Sequence, residues 1–157
     1  MKINTRLLVI CIFIPLIVGI MAAALTSNSM ETFEQIQKPV FAPPAWLFPV
    51  AWTILYTLMG ISSYLILKSN ASRAEKEAAI RIYAYQLAVN FLWPTFFFNL
   101  GWYLFAFFWL MLLWILVLIM IFRFWNINKT AAYLNIPYIL WLTFAAVLNF
   151  AIWILNR

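Results

Sequence analysis

The sequence predicts an all-helical membrane protein, a bundle of five transmembrane helices that residues 1–157 form as a single domain. Of these residues, 68% are hydrophobic and only 9% are charged, too few to cover a water-soluble surface. The apolar residues form continuous runs near the roughly 20 residues that span a bilayer core, and they do not alternate as barrel strands do. The five runs are 7–25, 45–67, 79–98, 102–124 and 131–155.

The first run has two interpretations. Lys2 and Arg6 precede an apolar stretch that ends near residues 22–24, an order also found in secretory signal peptides. The run is longer than the roughly 7 to 15 residues of a signal core. Gly19 and Ala23 also give it a small-residue face for helix packing. A retained membrane helix is therefore favoured, with a cleaved signal peptide as the alternative.

A proline-rich loop leads into the second run. Residues 38–44 contain Pro39, Pro43 and Pro44, which fix φ and remove backbone donors, so the segment is predicted to be a rigid loop. We expect the Pro43-Pro44 pair to open a helix at Ala45. The helix then carries residues of one face at helical spacing: Trp52, Tyr56, Met59 and Ser63. A stiff loop above an aromatic helix face is suited to closing a site for a flat hydrophobic ligand.

Polar stripes mark the third and fifth runs. The third carries Gln86, Asn90, Trp93 and Phe97 on one face, and the fifth carries Tyr138, Leu142, Ala145 and Asn149, with Trp141 beside them. An unpaired amide in hydrocarbon costs roughly several kcal/mol, so Asn90 and Asn149 should point inward. Each amide either ties helices together or contacts a ligand, and the sequence leaves both readings open.

Nine tryptophans divide by depth. Those near the ends of the runs are expected in the aromatic belts at the membrane surfaces: Trp46, Trp102, Trp125 and Trp153. Trp52, Trp93 and Trp141 lie deeper and share faces with the polar stripes, which favours a role in a pocket. Pro94 and Pro137 are expected to release backbone groups within the third and fifth spans and so to shape the pocket wall.

Basic residues set the predicted orientation. Eight of the ten fall on one side of the predicted bundle: Lys2, Arg6, Lys68, Arg73, Lys76, Arg81, Arg123 and Lys129. Because such residues accumulate in cytoplasmic loops, the N-terminus should be cytoplasmic and the proline-rich loop should face outward, in what we expect to be a bacterial cytoplasmic membrane. The net charge of +6 then reflects topology and contact with the lipid bilayer, not nucleic-acid binding.

The residues that the chain lacks narrow its chemistry. It has no histidine, and its four carboxylates, all glutamates, fall in the predicted loops, so a proton relay inside the membrane is not expected. Cys11 is the one cysteine, which excludes an internal disulfide and favours a small core residue. Metal sites of histidine and cysteine, catalytic triads and glycine-rich phosphate loops have no basis here, so no metal or cofactor is expected.

Three motifs in order resemble the translocator protein family, also called TspO/MBR or the peripheral benzodiazepine receptor family. They are KPVFAPPAWLFPVAWTILYTLMGISSYL from Lys38, QLAVNFLWPTFFF from Gln86 and IPYILWLTFAAVLNFAIWILN from Ile136. The resemblance implies a five-helix bundle, usually a homodimer, whose pocket opens beneath the first loop. It also implies that porphyrins and synthetic drug-like ligands bind there, and sterols in some members.

The resemblance assigns ligand-binding residues by their positions in these motifs. Pro43 and Phe48 would line the mouth, and Phe33 would reach in from the loop. The walls would come from three helices: Trp52 and Tyr56 from the second, Asn90 and Trp93 from the third, and Trp141, Ala145 and Leu148 from the fifth.

Two classes of function follow from the resemblance. One is a receptor that binds tetrapyrroles as a sensor or carrier. The other is an enzyme that degrades a bound porphyrin with light and oxygen, with Trp52 and Trp141 as its redox-active residues. Since the chain carries no acid-base machinery, binding is favoured over catalysis. Transport is a third possibility.

Overall fold

The computed structural model describes residues 3–29 and 34–157, and within these ranges the chain is helical with no strand. The helices are α1 Thr5–Thr26, α2 Leu47–Lys68, α3 Arg73–Pro94, α4 Tyr103–Ile127, the short α5 Lys129–Tyr133 and α6 Ile136–Leu155. A 3-10 turn, Ser27–Ser29, follows α1, and a π-helical turn, Thr95–Asn99, follows α3. The predicted all-helical fold is confirmed.

Four segments of the described chain are long and apolar enough to cross a membrane: Thr5–Ser29, Leu47–Lys68, Tyr103–Ile127 and Lys129–Leu155. The protein is therefore a multi-pass integral membrane protein. The helix α3 is as long as α1 and α2, but its first turns are strongly charged. These charged residues are Arg73, Glu75, Lys76, Glu77 and Arg81.

Local chemistry explains where the helices begin. Asn4 caps α1 by accepting a hydrogen bond from the Leu7 backbone N–H at 3.1 Å. The helix α2 starts at Leu47, two residues beyond the predicted Ala45, because a turn follows the proline pair, in which the Leu47 N–H donates to the Pro44 carbonyl at 3.0 Å. The helix α3 starts with a capping box between Ser72 and Glu75, which satisfies backbone donors of its first turn.

The two prolines of the predicted cavity wall lie at helix ends. Pro94 is the last residue of α3, and the π-helical turn that follows it closes with a hydrogen bond from the Leu100 N–H to the Thr95 carbonyl at 3.1 Å. Pro137 lies in the first turn of α6, where backbone N–H groups lack helical partners in any case. The break before α6 falls inside the apolar segment Lys129–Leu155, and the Ala131 carbonyl beside it accepts from the Ser62 hydroxyl and the Asn135 amide.

Hydrogen bonds between distant residues define two ends of the bundle. At the end we call the basic end, the Asn4 N–H donates to the Tyr64 hydroxyl at 3.1 Å, which places the start of α1 beside the last turns of α2. At the opposite end, the loop end, Asn99 donates to the Leu25 carbonyl at 3.0 Å and accepts from Ser29 at 2.7 Å. The helix α3 and its π-helical turn therefore run the full length of the bundle.

The helices nearest the basic end bury several side chains completely. Ile66, Ala79, Phe124 and Ala131 are fully buried there. The junction of α5 and α6 is tied to α2 through Asn135, whose amide donates to the Ser62 hydroxyl at 2.7 Å and to the Ala131 carbonyl at 2.8 Å. This half of the bundle is therefore held together by fully buried side chains and by hydrogen bonds between helices.

Candidate ligand site

Aromatic side chains of α2 form the first wall of the site. Phe48, Trp52 and Tyr56 recur every four residues, so they share one face of the helix. Trp52 stacks on Tyr56 with ring centroids 5.3 Å apart and meets Tyr138 edge to face at 6.1 Å. Tyr56 and Tyr138 are buried, whereas Trp52 is half-buried, so the Trp52 indole is the most accessible of these three rings.

A chain of buried hydrogen bonds lies beneath that wall. The Tyr56 hydroxyl donates to the Asn90 carbonyl oxygen at 3.1 Å, and the Asn90 amide donates to the Tyr138 hydroxyl at 2.6 Å. Tyr138 in turn donates to Gln86 at 2.9 Å, and the Gln86 amide lies 3.7 Å from the Met59 sulfur. This network joins α2, α3 and α6 and fixes both phenol rings.

The geometry bears directly on the role of Asn90. A side-chain amide offers one carbonyl and two N–H donors, and Asn90 uses its carbonyl for Tyr56 and one N–H for Tyr138. The sequence left two roles open for Asn90, and in the structure its amide ties helices together. One N–H remains in excess of these two bonds.

A second amide, Asn149, joins α3, α4 and α6. It accepts a hydrogen bond from the Trp93 indole N–H at 3.3 Å and donates to the Tyr103 carbonyl at 2.8 Å. Trp93 also stacks on Phe97 at 5.0 Å. The Trp93 ring is therefore held on one face and at its nitrogen, and it forms the α3 wall of the site.

The α6 wall consists of rings in edge contact. Trp141 meets Phe48 at 6.0 Å and Phe144 at 5.6 Å, and Phe144 meets Phe41 of the proline-rich loop at 6.5 Å. Ala145 packs beside this cluster and is half-buried. Each ring pair adds about 0.5 to 1.5 kcal/mol beyond the apolar area that the rings bury, so this wall is held by burial as well as by ring contact.

The loop reaches the site from above and is held at its far side. Asn156, after α6, accepts from the Gln37 N–H at 3.0 Å and donates to the Gln37 carbonyl at 2.8 Å. Pro43 is half-buried, and Phe48 packs with Ala42 and the buried Leu148 in a small cluster near the loop end. Phe33, also predicted for the site, lies outside the described residues.

The structure therefore gathers most of the predicted residues around one region and adds others. Trp52, Tyr56 and Asn90 share a single network, and Phe48 and Trp141 share a ring cluster. Residues absent from the predicted site also belong to this region: Tyr138, Gln86 and Phe144. Tyr138 and Gln86 stood on the predicted polar stripes, so their place on those faces was the signal for them.

The site carries no charge on the residues just described, and its buried polar groups are amides and phenols. Such a region suits a flat, largely apolar molecule bound by ring contact. Fold and side-chain arrangement together define a class, the multi-pass helical membrane proteins with a region rich in aromatic rings beneath a loop.

Comparison with known proteins identifies the family. The profile of the TspO/MBR family matches residues 11–154, so the chain belongs to the TspO/MBR family. It is 36% identical to the tryptophan-rich protein TspO of Archaeoglobus fulgidus over 98% of this chain and 99% of that protein. It is 35% identical to the tryptophan-rich sensory protein of Cereibacter sphaeroides over 80% and 77%. Identity to the Homo sapiens translocator protein is 34% over 80% and 75%. The resemblance inferred from the three motifs is confirmed.

Proposed function

We propose that this protein is a membrane receptor that binds porphyrins of the protoporphyrin type and drug-like hydrophobic ligands, and that it acts as a sensor or carrier. The observation that supports the proposal is that Trp52, Trp93 and Trp141, from three helices, all pack partly buried against the core that contains Tyr56 and Tyr138. A planar tetrapyrrole offers two large faces to such rings. The names of two relatives, a sensory protein and a translocator protein, agree with a ligand-responsive role.

A second candidate function has one structural observation in its favour. Trp52 stacks on Tyr56, and Tyr56 is hydrogen-bonded to Asn90, so two oxidisable rings lie in contact beside the proposed ligand. The protein would then degrade a bound porphyrin in a reaction that consumes light and oxygen. Trp52 and Trp141 would be the redox-active residues.

One experiment separates the two candidates. Protoporphyrin IX is titrated into the purified protein in the dark and followed by quenching of tryptophan fluorescence, and the saturated sample is then illuminated in air. Binding alone predicts saturable quenching and an absorption spectrum that illumination leaves as it is in a protein-free control. A new absorbing product, formed in excess over the protein, would support degradation instead. Absence of saturable quenching would refute both.

We also propose that α3 crosses the bilayer as a fifth span, that the basic end faces the cytoplasm and that the membrane is a bacterial cytoplasmic membrane. In a Cys11→Ala background, Ser29→Cys should react with an impermeant thiol reagent in intact cells. Ser69→Cys should be protected until the cells are opened. Reversed labelling would reverse the orientation, and labelling of both in intact cells would place the two loops on the same side.

We further propose a homodimer that forms through α3. Ala84 and Ala88, one turn apart, are exposed on the face opposite the buried Gln86 and Asn90. Small residues at this spacing let two helices approach closely in a membrane. Ala88→Leu should therefore shift the sedimentation of the purified protein toward the monomer, whereas Ala24→Leu, at another exposed alanine in α1, should not. Unchanged sedimentation of Ala88→Leu would place the contact elsewhere.

A further inference from the structure

A polar cavity of about 450 Å³ lies at the basic end, far from the aromatic site. It is bounded by the last turn of α2, the first turn of α3 and the junction of α4 with α5, and its lining includes Lys68, Glu75 and Asn128. Its volume falls in the range of about 300 to 1,000 Å³ that is typical of small-molecule sites. A cavity lined by one basic residue, one acidic residue and several asparagines is suited to binding a polar ligand.

The carboxylate of Glu75 keeps one oxygen free for such a ligand. Its Oε2 accepts from the Ser72 N–H at 2.8 Å and from the Ser72 hydroxyl at 2.6 Å. These bonds lower the pKa of Glu75, so the group is ionised at neutral pH. The neighbouring cations are engaged elsewhere, since Arg73 pairs with Glu77 at 2.6 Å and Lys76 donates to the Leu67 carbonyl at 3.2 Å.

Donors stand on the other walls of the cavity. Lys68 is one of its lining residues, and the Asn128 carbonyl oxygen accepts from the Ala131 N–H at 3.0 Å, which leaves the Asn128 amide N–H groups to donate. Asn70 and Asn126 add exposed amides at its rim. Together these groups form a site for an oxyanion next to a site for an ammonium.

The surroundings place the cavity at the level of lipid headgroups. Leu65 and Ile127 give it an apolar edge and pack against the hydrophobic core. Nearby, Trp125 meets Tyr133 at 5.1 Å, and the Lys129 ammonium lies 5.5 Å from the Trp125 ring centre. Exposed tryptophan and tyrosine rings beside basic residues are typical of the membrane–water interface.

We propose that this cavity binds the headgroup of a zwitterionic phospholipid that carries a primary ammonium, as in phosphatidylethanolamine. The phosphate oxygens accept from Lys68 and the asparagine amides, and the ammonium donates to Glu75. A quaternary ammonium, as in phosphatidylcholine, has no N–H to donate to that carboxylate. An anionic headgroup such as phosphatidylglycerol leaves the negative Glu75 without a partner and adds a second negative charge.

The test measures which lipid the full-length protein retains. Purified protein in detergent is mixed with equal amounts of dioleoyl phosphatidylethanolamine, phosphatidylcholine and phosphatidylglycerol, and the bound lipids are counted by native mass spectrometry. The protein should retain phosphatidylethanolamine preferentially. Lys68→Gln and Glu75→Gln should each weaken its retention by about tenfold, the effect of one hydrogen bond to a charged group.

Two matched variants control for folding and for general charge. Glutamine also serves in a capping box, so Glu75→Gln keeps the start of α3 intact. Glu77→Gln removes the same charge two residues further along α3, at a residue that does not line the cavity. Lys129→Gln removes a lysine that lies over the Trp125 ring. Both control variants should retain phosphatidylethanolamine like the unaltered protein.

Three outcomes would overturn the proposal. Equal retention of the three lipids would show that the cavity does not read the headgroup, and a loss in Glu77→Gln as large as in Glu75→Gln would show a general charge effect. Stronger binding of phosphatidylglycerol to Glu75→Gln, with phosphatidylethanolamine unchanged, would show an anion site.

A competition experiment separates a lipid from a soluble ligand. Soluble glycerophosphoethanolamine should compete weakly with phosphatidylethanolamine. Competition as strong as that of the lipid would replace the lipid with a soluble ligand.

Discussion

The two halves of the bundle are packed differently, and under the proposed function this difference separates stability from ligand binding. Toward the basic end, aliphatic and small side chains such as Ile66, Ala79 and Ala131 have an exposed fraction of 0%. Toward the loop end, Ala106 and Ile152 are equally buried, but Trp52 and Trp141 are only half-buried and make ring contacts. Close packing resists any change of volume, whereas ring contacts can be exchanged for contacts with a ligand.

Two glycines, Gly19 of α1 and Gly60 of α2, lie where these two helices meet. An added Cβ at Gly60 would lie 2.5 Å from the Ile12 Cα and 2.7 Å from the Cys11 carbonyl oxygen, so it would meet backbone. At Gly19 an added Cβ would overlap the Tyr56 ring. A side chain can turn away, but a packed helix backbone can only be pushed aside.

The largest expected effect is therefore that of Gly60→Ala. Because α1 and α2 must separate to admit the methyl group, unfolding should become easier by about 3 kcal/mol, the upper part of the range for overpacked cores. Thermal unfolding in detergent measures this change.

Gly19→Ala is the matched variant. It should lower stability less and weaken porphyrin binding more, since it displaces Tyr56 from Trp52 and Asn90. If Gly60→Ala were tolerated while Gly19→Ala unfolded the protein, the division between a rigid and an adaptable half would be reversed.

The next effect concerns the aromatic walls. Trp52→Ala and Trp141→Ala should each reduce porphyrin affinity about tenfold, because a ring face of roughly 60 Å² at about 25 cal/mol per Å² is worth roughly 1.5 kcal/mol. Fluorescence titration gives the affinities, and their thermal stability should change little. Trp102→Phe, at a residue that is 55% exposed, should bind like the unaltered protein. A loss in Trp102→Phe alone would place the site elsewhere.

The sequence predicted the helices better than it predicted their contacts. Periodicity and run length located α1, α4 and α6 within a few residues of their ends, since those runs are apolar throughout. The start of α3 at Arg73 was missed because its first turns are charged, although the Ser72 capping box was readable in the sequence.

Contacts between helices were harder to predict. The stripe through Asn90 gave the correct inward face, but spacing along one helix does not tell which residue of another lies opposite. The bond from Asn90 to Tyr138 depends on the relative height and rotation of α3 and α6. The break between α5 and α6 lies at Asn135 and Pro137, and that proline was expected to release backbone groups within this run.

A smaller effect should follow from Tyr138→Phe, which tests whether the polar network is a support. The change leaves Asn90 and Gln86 each without one partner. Hydrogen bonds between membrane helices average about 0.6 kcal/mol, so two lost bonds should lower stability by about 1 kcal/mol. Thermal unfolding should show this loss, while porphyrin affinity should change less than in Trp52→Ala.

Tyr133→Phe, on an exposed ring, is the control for Tyr138→Phe. A tenfold loss of affinity with unchanged stability would instead make Tyr138 a ligand contact.

The smallest effect belongs to the basic end and depends on pH. The Ser72 hydroxyl and N–H lower the pKa of Glu75 below its ordinary value of 4.5, so the ionised carboxylate stabilises the folded state at neutral pH. For a group whose pKa is lower when folded, this contribution is complete above the unfolded pKa and is lost as pH falls through the folded pKa.

The melting temperatures of the unaltered protein and Glu75→Gln should therefore differ slightly at pH 7 and converge as the pH is lowered below about 4.5. The other glutamates are the same in both proteins and cancel in the difference. A difference that stayed constant down to low pH would mean that the capping box of α3 does not depend on the charge of Glu75.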